Sequence, residues 1–262
     1  MSSSIAGAGT ASVVPTIATE DHLVKNLATI LGLPTPANFN LTVAEALYVQ
    51  LYQDTNEITG KQTSRKERTS YGYIDTGLVY GEVDFGPFAE ILVGMRRYGV
   101  LPPQEDSSTL PKFVDIGCGI GKAVFTAALV HEWRECHGIE ILNGLYAVCE
   151  DLQSKWVKEI HDQLPEERRG AEIIFSRGDA TALSWADADV AFANSTCFPP
   201  ELMSLLASKA NLMKDGSIFI TTTKKLPSEK YFLIQNFGSF FIQMKGKNTA
   251  ANAIAKAKAA VL

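Results

Sequence analysis

Three acidic residues stand at the ends of short apolar runs in this 262-residue sequence. Asp115 precedes a glycine-rich stretch, Glu140 ends the next apolar run, and Asp179 ends the one after it. If these runs are parallel strands, their carboxyl ends share one edge of a sheet, so the three side chains lie near one another. Carboxylates accept hydrogen bonds from hydroxyl, amino and ammonium groups. The spacing therefore predicts a pocket for a ligand that carries such donors and positive charge.

The glycine-rich stretch lies between an apolar run at Phe113–Ile116 and a buried helical pattern at Ala123–Val130. Gly117, Gly119 and Gly121 allow positive φ values and a close approach of the backbone to a ligand. The order strand, glycine turn, helix is typical of the opening unit of a doubly wound α/β domain. The ligand is then expected near the amino end of the helix.

The residue after the third glycine excludes a dinucleotide as that ligand. A dinucleotide fingerprint needs glycine or alanine at its sixth position, where this sequence has Lys122. The turn also lacks the Gly-Lys-Ser/Thr of a phosphate-binding loop.

S-adenosylmethionine suits the acids better, because it is net cationic and carries no phosphate. Glu140 is then placed to accept both ribose hydroxyls, and Asp179 to accept a hydrogen bond from the adenine amino group. Asp115 would organise the turn or reach the methionine ammonium. The alternative for any single one of these acids is a helix N-cap.

The strand and helix patterns alternate through most of the chain, which predicts a doubly wound, mostly parallel seven-stranded α/β sheet. Strands are expected at 113–116, 136–142, 171–179, 189–194, 217–223, 231–235 and 239–244, the last two as an antiparallel pair. We divide the chain into four parts: a disordered tail at 1–21, a small helical segment with a cofactor-closing loop at 22–100, the cofactor-binding α/β domain at 101–245, and a Lys/Ala-rich tail at 246–262.

The composition is that of a globular protein, with 46% hydrophobic and 20% charged residues and a net charge of −5. This charge argues against nucleic-acid binding by bulk electrostatics. No apolar run approaches the length of a membrane span. The four cysteines and four histidines have no metal-ligand spacing, so neither a metal site nor a disulfide framework is expected.

From about Leu78 to Thr223 the sequence resembles the Dot1-like histone lysine methyltransferases, which are class I rather than SET enzymes. Leu78-Val-Tyr-Gly-Glu82 resembles their Val-Tyr-Gly-Glu-Thr loop, and Phe113–Lys122 is similar to their Phe-Val-Asp-Leu-Gly-Ser-Gly-Val-Gly-Gln. Further segments that resemble the family lie in or beside the later strands: His137–Glu140, Ser176–Asp179, Ala191–Asn194, Cys197–Glu201, and Lys214–Gly216 before the fifth strand.

The resemblance implies a class I fold, S-adenosylmethionine as cofactor, a lysine of histone H3 in the nucleosome as substrate, and a nuclear location. It implies cofactor contacts along the matching segments, from Tyr80, Gly81, Glu82, Val83, Phe113, Asp115, Gly117, Cys118, Gly119, Gly121, Lys122, Glu140, Asp179, Ala180 and Asn194. Asn194 and Tyr80 are the predicted catalytic residues, with Asn194 beside the transferring methyl group and the incoming amine. Phe198, Phe240 and Phe241 are the predicted walls of the substrate channel.

The sequence also departs from the family pattern. Val83 replaces a threonine, Lys122 a glutamine, and Ala180 the phenylalanine that stacks on adenine. A counterpart of the family's Ser-Trp-Thr-Gly segment after the fifth strand is not evident. Two alternatives therefore stay open: a class I methyltransferase for another protein or a small molecule, and a non-catalytic cofactor-binding module that acts through partners.

Two segments are rich in positive charge. Lys61–Arg68 holds four cations against one acid, and residues 224–262 hold seven lysines against one acid. We interpret Lys61–Arg68 as a loop, which is either simply solvated or contacts DNA together with the C-terminal lysines.

Overall fold

The computed structural model describes residues 41–55, 57–71, 79–97, 100–101 and 110–259. The predicted tail at 1–21 and the first part of the predicted helical segment, 22–40, lie outside the described residues, as does Leu78 at the start of the Leu78–Glu82 loop.

Seven strands form one sheet in the order β3-β2-β1-β4-β5-β7-β6. The strands are β1 Lys112–Ile116, β2 Glu135–Glu140, β3 Glu172–Arg177, β4 Val190–Ala193, β5 Ile218–Thr222, β6 Tyr231–Phe237 and β7 Phe240–Lys245. All neighbouring pairs are parallel except those that involve β7, which runs antiparallel to β5 and β6. The predicted doubly wound, mostly parallel seven-stranded sheet is thus confirmed.

Helices cover both faces of the sheet. They are α1 Leu41–Tyr52, α2 Glu57–Tyr71, α3 Phe85–Arg97, α4 Lys122–Val130, α5 Asn143–Lys155, α6 Pro200–Ala210 and α7 Lys247–Ala259. The helical path of α5 continues as a π-helical turn, Trp156–Ile160, and a 3-10 turn, His161–Gln163. The side chains of Trp156 and Ile160 stay buried across this change, so the helix keeps one apolar stripe against the sheet.

The alternation of side chains along β1 shows how the two core layers form. Phe113 packs in the larger cluster, with Phe88 of α3 and Phe125 of α4. Val114 and Ile116 point to the other face, into the cluster that contains Leu206 of α6. All five β1 residues are buried, as expected for the central strand of a sheet covered on both sides.

The strand order reverses between β1 and β4, where the chain leaves the sheet in opposite directions. In open α/β sheets, ligands bind outside the carboxyl ends of the strands at such a switch point. The residues that follow β1 and β4, from Gly117 and Asn194 onward, therefore stand where a binding site is expected.

The interpretation of Lys61–Arg68 as a loop is wrong, because these residues form the middle of helix α2. Lysine, arginine, glutamine and glutamate are good helix formers, but the segment has no apolar stripe that would reveal a helix. Polar contacts hold α2 instead. The carboxylate of Glu67 accepts hydrogen bonds from the backbone N–H groups of Asn143 (2.7 Å) and Gly144 (2.6 Å) and so caps the start of α5.

Within the described ranges, the helices are too short or too polar to cross a membrane.

Candidate active site

The glycine turn after β1 adopts the left-handed backbone that the sequence predicts. Gly117, Gly119 and Gly121 have φ values of 72°, 59° and 80°. The N–H groups of Gly117 and Cys118 donate to the carbonyl oxygen of Ile139 at 2.9 and 3.0 Å, which ties the turn to the end of β2. Residues with a Cβ rarely adopt these φ values, so the turn depends on glycine.

Glu140, at the end of β2, holds the same turn from the other side. Its two carboxylate oxygens accept N–H bonds from Gly119 and Leu142, both at 2.8 Å. The side chain is buried, and this burial raises its pKa to about 7, although the backbone donors act in the opposite direction. A carboxylate has about four acceptor positions, so Glu140 keeps acceptor capacity for a ligand.

The other two acids differ in exposure. Asp115 is buried, and burial together with the nearby charge of Glu140 raises its pKa well above the usual value. Asp179 is exposed, and its Oδ1 accepts hydrogen bonds from the N–H (2.7 Å) and hydroxyl (2.8 Å) of Thr181. Asp179 thus caps a turn at the end of β3, much as an N-cap residue would, while its side chain also borders a cavity.

Tyr80 packs its ring onto the glycine turn. A Cβ at Gly119 would come within 2.6 Å of the ring, so only glycine permits this approach. The Tyr80 hydroxyl donates to Glu82, and Glu82 pairs with the Lys122 ammonium. That ammonium also lies 5.7 Å from the centre of the Tyr52 ring. Lys122, which excludes a dinucleotide, therefore anchors the loop before α3 to the turn after β1.

A first cavity of about 370 Å³ opens beside the turn. Nine of the predicted site residues line it: Tyr80, Gly81, Gly117, Gly119, Glu140, Asp179, Ala180, Asn194 and Phe198. The sequence prediction missed its apolar walls, which come from Ile139, Ile141, Leu142, Leu145, Leu202, Leu205 and Leu206. Leu205 is 53% exposed although it belongs to an apolar helical stripe. The sequence signal that could have indicated this wall is the run of leucines on the helix after β4, at 202, 205 and 206.

A second cavity of about 460 Å³ lies on the other side of Asn194. Gly81 and Asn194 line both cavities, so the two meet at these residues. Polar and charged groups in the second cavity are Glu82, Asp84, Thr196, Cys197, Thr222 and Ser239. Its apolar surface comes from Val83, Pro87, Phe237 and Phe240. Of the three predicted channel residues, Phe240 lies here and Phe198 lies in the first cavity.

Most of the remaining predicted residues surround a small recess between the two cavities, which includes Glu82, Val83, Asp115, Cys118 and Lys122.

Three predicted residues do not line these cavities. Phe113 packs in the core, with its ring centre 5.5 Å from that of Trp133. Gly121 lies against Phe175 and begins α4. Phe241 is next to Phe240 on β7 and so points to the opposite face of the sheet, where the Lys225 ammonium lies 5.6 Å from its ring centre.

The family described as "Histone methylation protein DOT1" matches residues 75–253. The chain belongs to the DOT1 family. The match includes the Tyr80 loop, the whole sheet and most of α7, and therefore covers both cavities. Membership identifies the chain as a methyltransferase that depends on S-adenosyl-L-methionine.

Solved structures of other methyltransferases are among the matches to this chain. An RNA methyltransferase from Salinibacter ruber, crystallised with S-adenosyl-L-homocysteine, is 14% identical, with 64% of this chain and 95% of that chain covered and a TM-score of 0.41. A putative caffeoyl-CoA O-methyltransferase from Staphylococcus aureus is 14% identical over 78% of this chain and all of that chain (100%), with a TM-score of 0.45.

The first cavity of this DOT1 family member fits the cofactor. Its volume is in the usual range for small-ligand sites, about 300–1,000 Å³. The turn at Gly117–Gly121 allows close approach, Glu140 keeps free acceptor positions for hydroxyl groups, and Asp115 and Asp179 add acceptors for amino groups. Among the described residues, no cluster of His, Cys, Asp and Glu could hold a metal ion.

Proposed function

We propose that this chain methylates a lysine side chain, that the substrate is histone H3 in chromatin, and that the protein works in the nucleus. The observation that carries the proposal is the second cavity, which meets the cofactor cavity at Gly81 and Asn194. A long side chain can enter this second cavity and bring its end to the boundary. The carboxylate of Asp84 in its wall suits a substrate that arrives as a cation.

The chemistry supplied by S-adenosylmethionine is a methyl group made electrophilic by the adjacent sulfonium. The protein must align the acceptor amine with this group and exclude water. A lysine amine has an unperturbed pKa near 10.4 and must lose a proton before it can attack. The apolar surface of Val83, Phe237 and Phe240 disfavours the ammonium form, while Asp84 attracts it at the exposed rim.

We assign Asn194 to the boundary itself. It follows β4, lines both cavities, and its Oδ1 accepts hydrogen bonds from the hydroxyls of Thr222 (2.7 Å) and Thr196 (3.1 Å). Tyr80 closes the adjacent side, with its ring against the glycine turn. We propose no general base, because the apolar walls lower the pKa of the amine without one.

Chromatin as a substrate implies contact with DNA, and α2 is the segment best suited to provide it. Lys61, Arg65 and Lys66 are exposed on this helix. Two of the C-terminal lysines have other roles. The Lys245 ammonium is buried and donates to the Asn211 and Met213 carbonyl oxygens, and Lys224 donates to two carbonyl oxygens in the segment after β4. We therefore propose α2 as the main DNA contact.

A second candidate function is a methyltransferase for another protein or a small molecule. The β6–β7 hairpin favours it, because Phe237 and Phe240 form a cavity wall in a region that lacks the family's Ser-Trp-Thr-Gly segment. The two candidates share the cofactor site and differ only in what enters the second cavity.

A tritium-transfer assay separates them. The purified chain is incubated with labelled S-adenosylmethionine and, in parallel, with nucleosomes, free histones and total cell extract. We expect label in H3 of nucleosomes. Label only in another component of the extract supports the second candidate, and normal cofactor binding without any label contradicts both.

A further inference from the structure

Two threonine hydroxyls, from Thr196 and Thr222, donate to the side-chain oxygen of Asn194, and the Thr223 hydroxyl donates to that of Thr196. Asn194 and Thr222 immediately follow the paired residues Ala193 and Thr221, because β4 and β5 are adjacent parallel strands. The Ser195 hydroxyl reinforces this pairing by donating to the Thr222 carbonyl oxygen at 2.5 Å. The position of the Thr222 hydroxyl beside Asn194 is therefore set by the sheet and not by a loop.

With Oδ1 of Asn194 facing the threonines, the hydroxyl protons form a short chain of hydrogen bonds. Every hydroxyl has one proton to donate. Thr223 donates to the Thr196 oxygen at 3.1 Å, Thr196 donates to the Asn194 Oδ1 at 3.1 Å, and Thr222 donates to the same Oδ1 at 2.7 Å. A carbonyl oxygen has two lone pairs, and here both are used.

The amide nitrogen is then the atom presented to the boundary between the cavities. A Cβ at Gly81, which lines both cavities, would lie 3.4 Å from the Asn194 Nδ2. The two N–H groups of Nδ2 stand there as donors for an acceptor on the cofactor or the substrate. In the structure Oδ1 faces the Thr196 and Thr222 hydroxyls and Nδ2 faces the boundary, and the two hydroxyl oxygens themselves lie 3.2 Å apart.

Thr223, whose hydroxyl belongs to this network, has an unusual backbone conformation. Its φ of 58° makes it the one non-glycine residue with positive φ in the part of the chain that the structure describes. For a β-branched residue this conformation is strained, and such strain clusters at functional sites. The Thr223 N–H donates to the Ser239 carbonyl oxygen at 2.8 Å, which links the network to the β6–β7 hairpin.

We propose that Thr222 is a positioning residue for methyl transfer, which acts by fixing the Asn194 amide with its N–H groups toward the boundary, and that Thr196 and Thr223 complete this hydroxyl network. The proposal rests on the proposed function in one respect, namely that transfer takes place at this boundary. It adds a residue on β5 to the machinery, separated from Asn194 by 28 positions in the sequence.

The test compares two isosteric substitutions on one strand. Thr222→Val removes the donor, whereas Thr221→Val removes a buried hydroxyl that has no partner. We expect Thr222→Val to lower kcat on nucleosomes by about tenfold to a hundredfold, with KM and cofactor affinity nearly unchanged. Thr222→Ser should restore kcat, and Thr221→Val should keep it. Equal kcat values for the Thr221→Val and Thr222→Val variants would overturn the proposal.

A spectroscopic measurement makes the test independent of the substrate. The side-chain amide signals of Asn194 are assigned in the ¹⁵N-labelled full chain by their loss in Asn194→Ala. We expect them to shift or broaden in the Thr222→Val and Thr196→Val variants but not in the Thr221→Val variant. Unchanged signals in both network variants contradict the positioning role. Shifted signals in a chain that is inactive on nucleosomes uphold it and count against histones as the substrate.

Discussion

The ring of Tyr80 lies directly against the Cα of Gly60, so that a Cβ at position 60 would overlap the ring. Tyr80 lines the cofactor cavity, and Gly60 belongs to α2, the helix with the exposed cations. The same helix caps α5 through Glu67. A polar helix in the amino-terminal part of the chain thus holds the loop that borders the first cavity.

Gly60→Ala should weaken cofactor binding. The new methyl group must displace the Tyr80 ring from the glycine turn, while the helix itself gains about 1 kcal/mol of propensity. We expect the Kd for S-adenosylmethionine to rise by about tenfold in calorimetric titration, which corresponds to about 1.4 kcal/mol. Gly170→Ala is the matched control, because a Cβ there meets nothing within 4 Å. Equal cofactor affinities of the two variants would show that the position of the Tyr80 ring does not depend on its contact with α2.

Cofactor binding should depend on pH through Glu140. Its pKa is about 7 in the folded protein against a usual value of 4.5, so the folded state keeps a proton that the unfolded state loses. The contribution of this group to folding stability is therefore fully present below about pH 4.5, and it is lost as the pH rises through about 7. A cationic ligand favours the ionised form, so we expect the Kd to fall from about pH 6 to about pH 8.

Glu140→Gln provides the control for this pH dependence. The amide is nearly isosteric but does not ionise, so the variant should bind the cofactor more weakly and with a flatter pH profile. An unchanged slope in this variant would assign the titration to another group.

The sequence predicts the sheet well because its signals are local. The strand from Lys112 to Ile116 is an apolar run that ends in a glycine turn, and the structure confirms it and the six other strands within a few residues. Helix α2 was missed because its contacts are polar and distant along the chain. Glu67, for example, bonds to residues 76 and 77 positions away.

The sequence predicts those parts of the candidate site that belong to recognisable sequence motifs. Glu140 and Asn194 stand out at strand ends, and both line the cofactor cavity. The leucines of α6 and the contact between Asn194 and Thr222 depend on how helices and strands pack, which residue spacing does not specify. The proposed role of Asp84 could be inferred only from the structure, in which Asp84 and the β6–β7 hairpin line the same second cavity.

Asp84→Asn should reduce substrate affinity without affecting the cofactor. The side chain is exposed at the rim of the second cavity, so its attraction for a lysine cation is modest and screened by salt. We expect KM for nucleosomes to rise about threefold at low salt, with a smaller effect at high salt. Asp151→Asn, on the exposed side of α5, is the control for the same change in charge. Equal KM values for the two variants would remove Asp84 from substrate recognition.

Arg65→Gln and Lys66→Gln should weaken nucleosome binding through DNA. The slope of log affinity against log salt is negative, and each lost phosphate contact makes it less steep by about 0.9. The variants should bind free histones and cofactor normally. Lys158→Gln, which removes an exposed cation beyond α5, is the control. A slope that matches that of the control would place the DNA contact elsewhere.

Mass spectrometry of H3 is the decisive measurement of whether this chain methylates histones. Reconstituted nucleosomes are incubated with S-adenosylmethionine and either the wild-type chain or Asn194→Ala, after calorimetry has shown that both bind the cofactor. We predict that H3 gains methyl groups on a lysine with the wild-type chain and stays unmodified with Asn194→Ala. If the wild-type chain binds the cofactor and H3 remains unmodified, histone H3 is not the substrate of this chain.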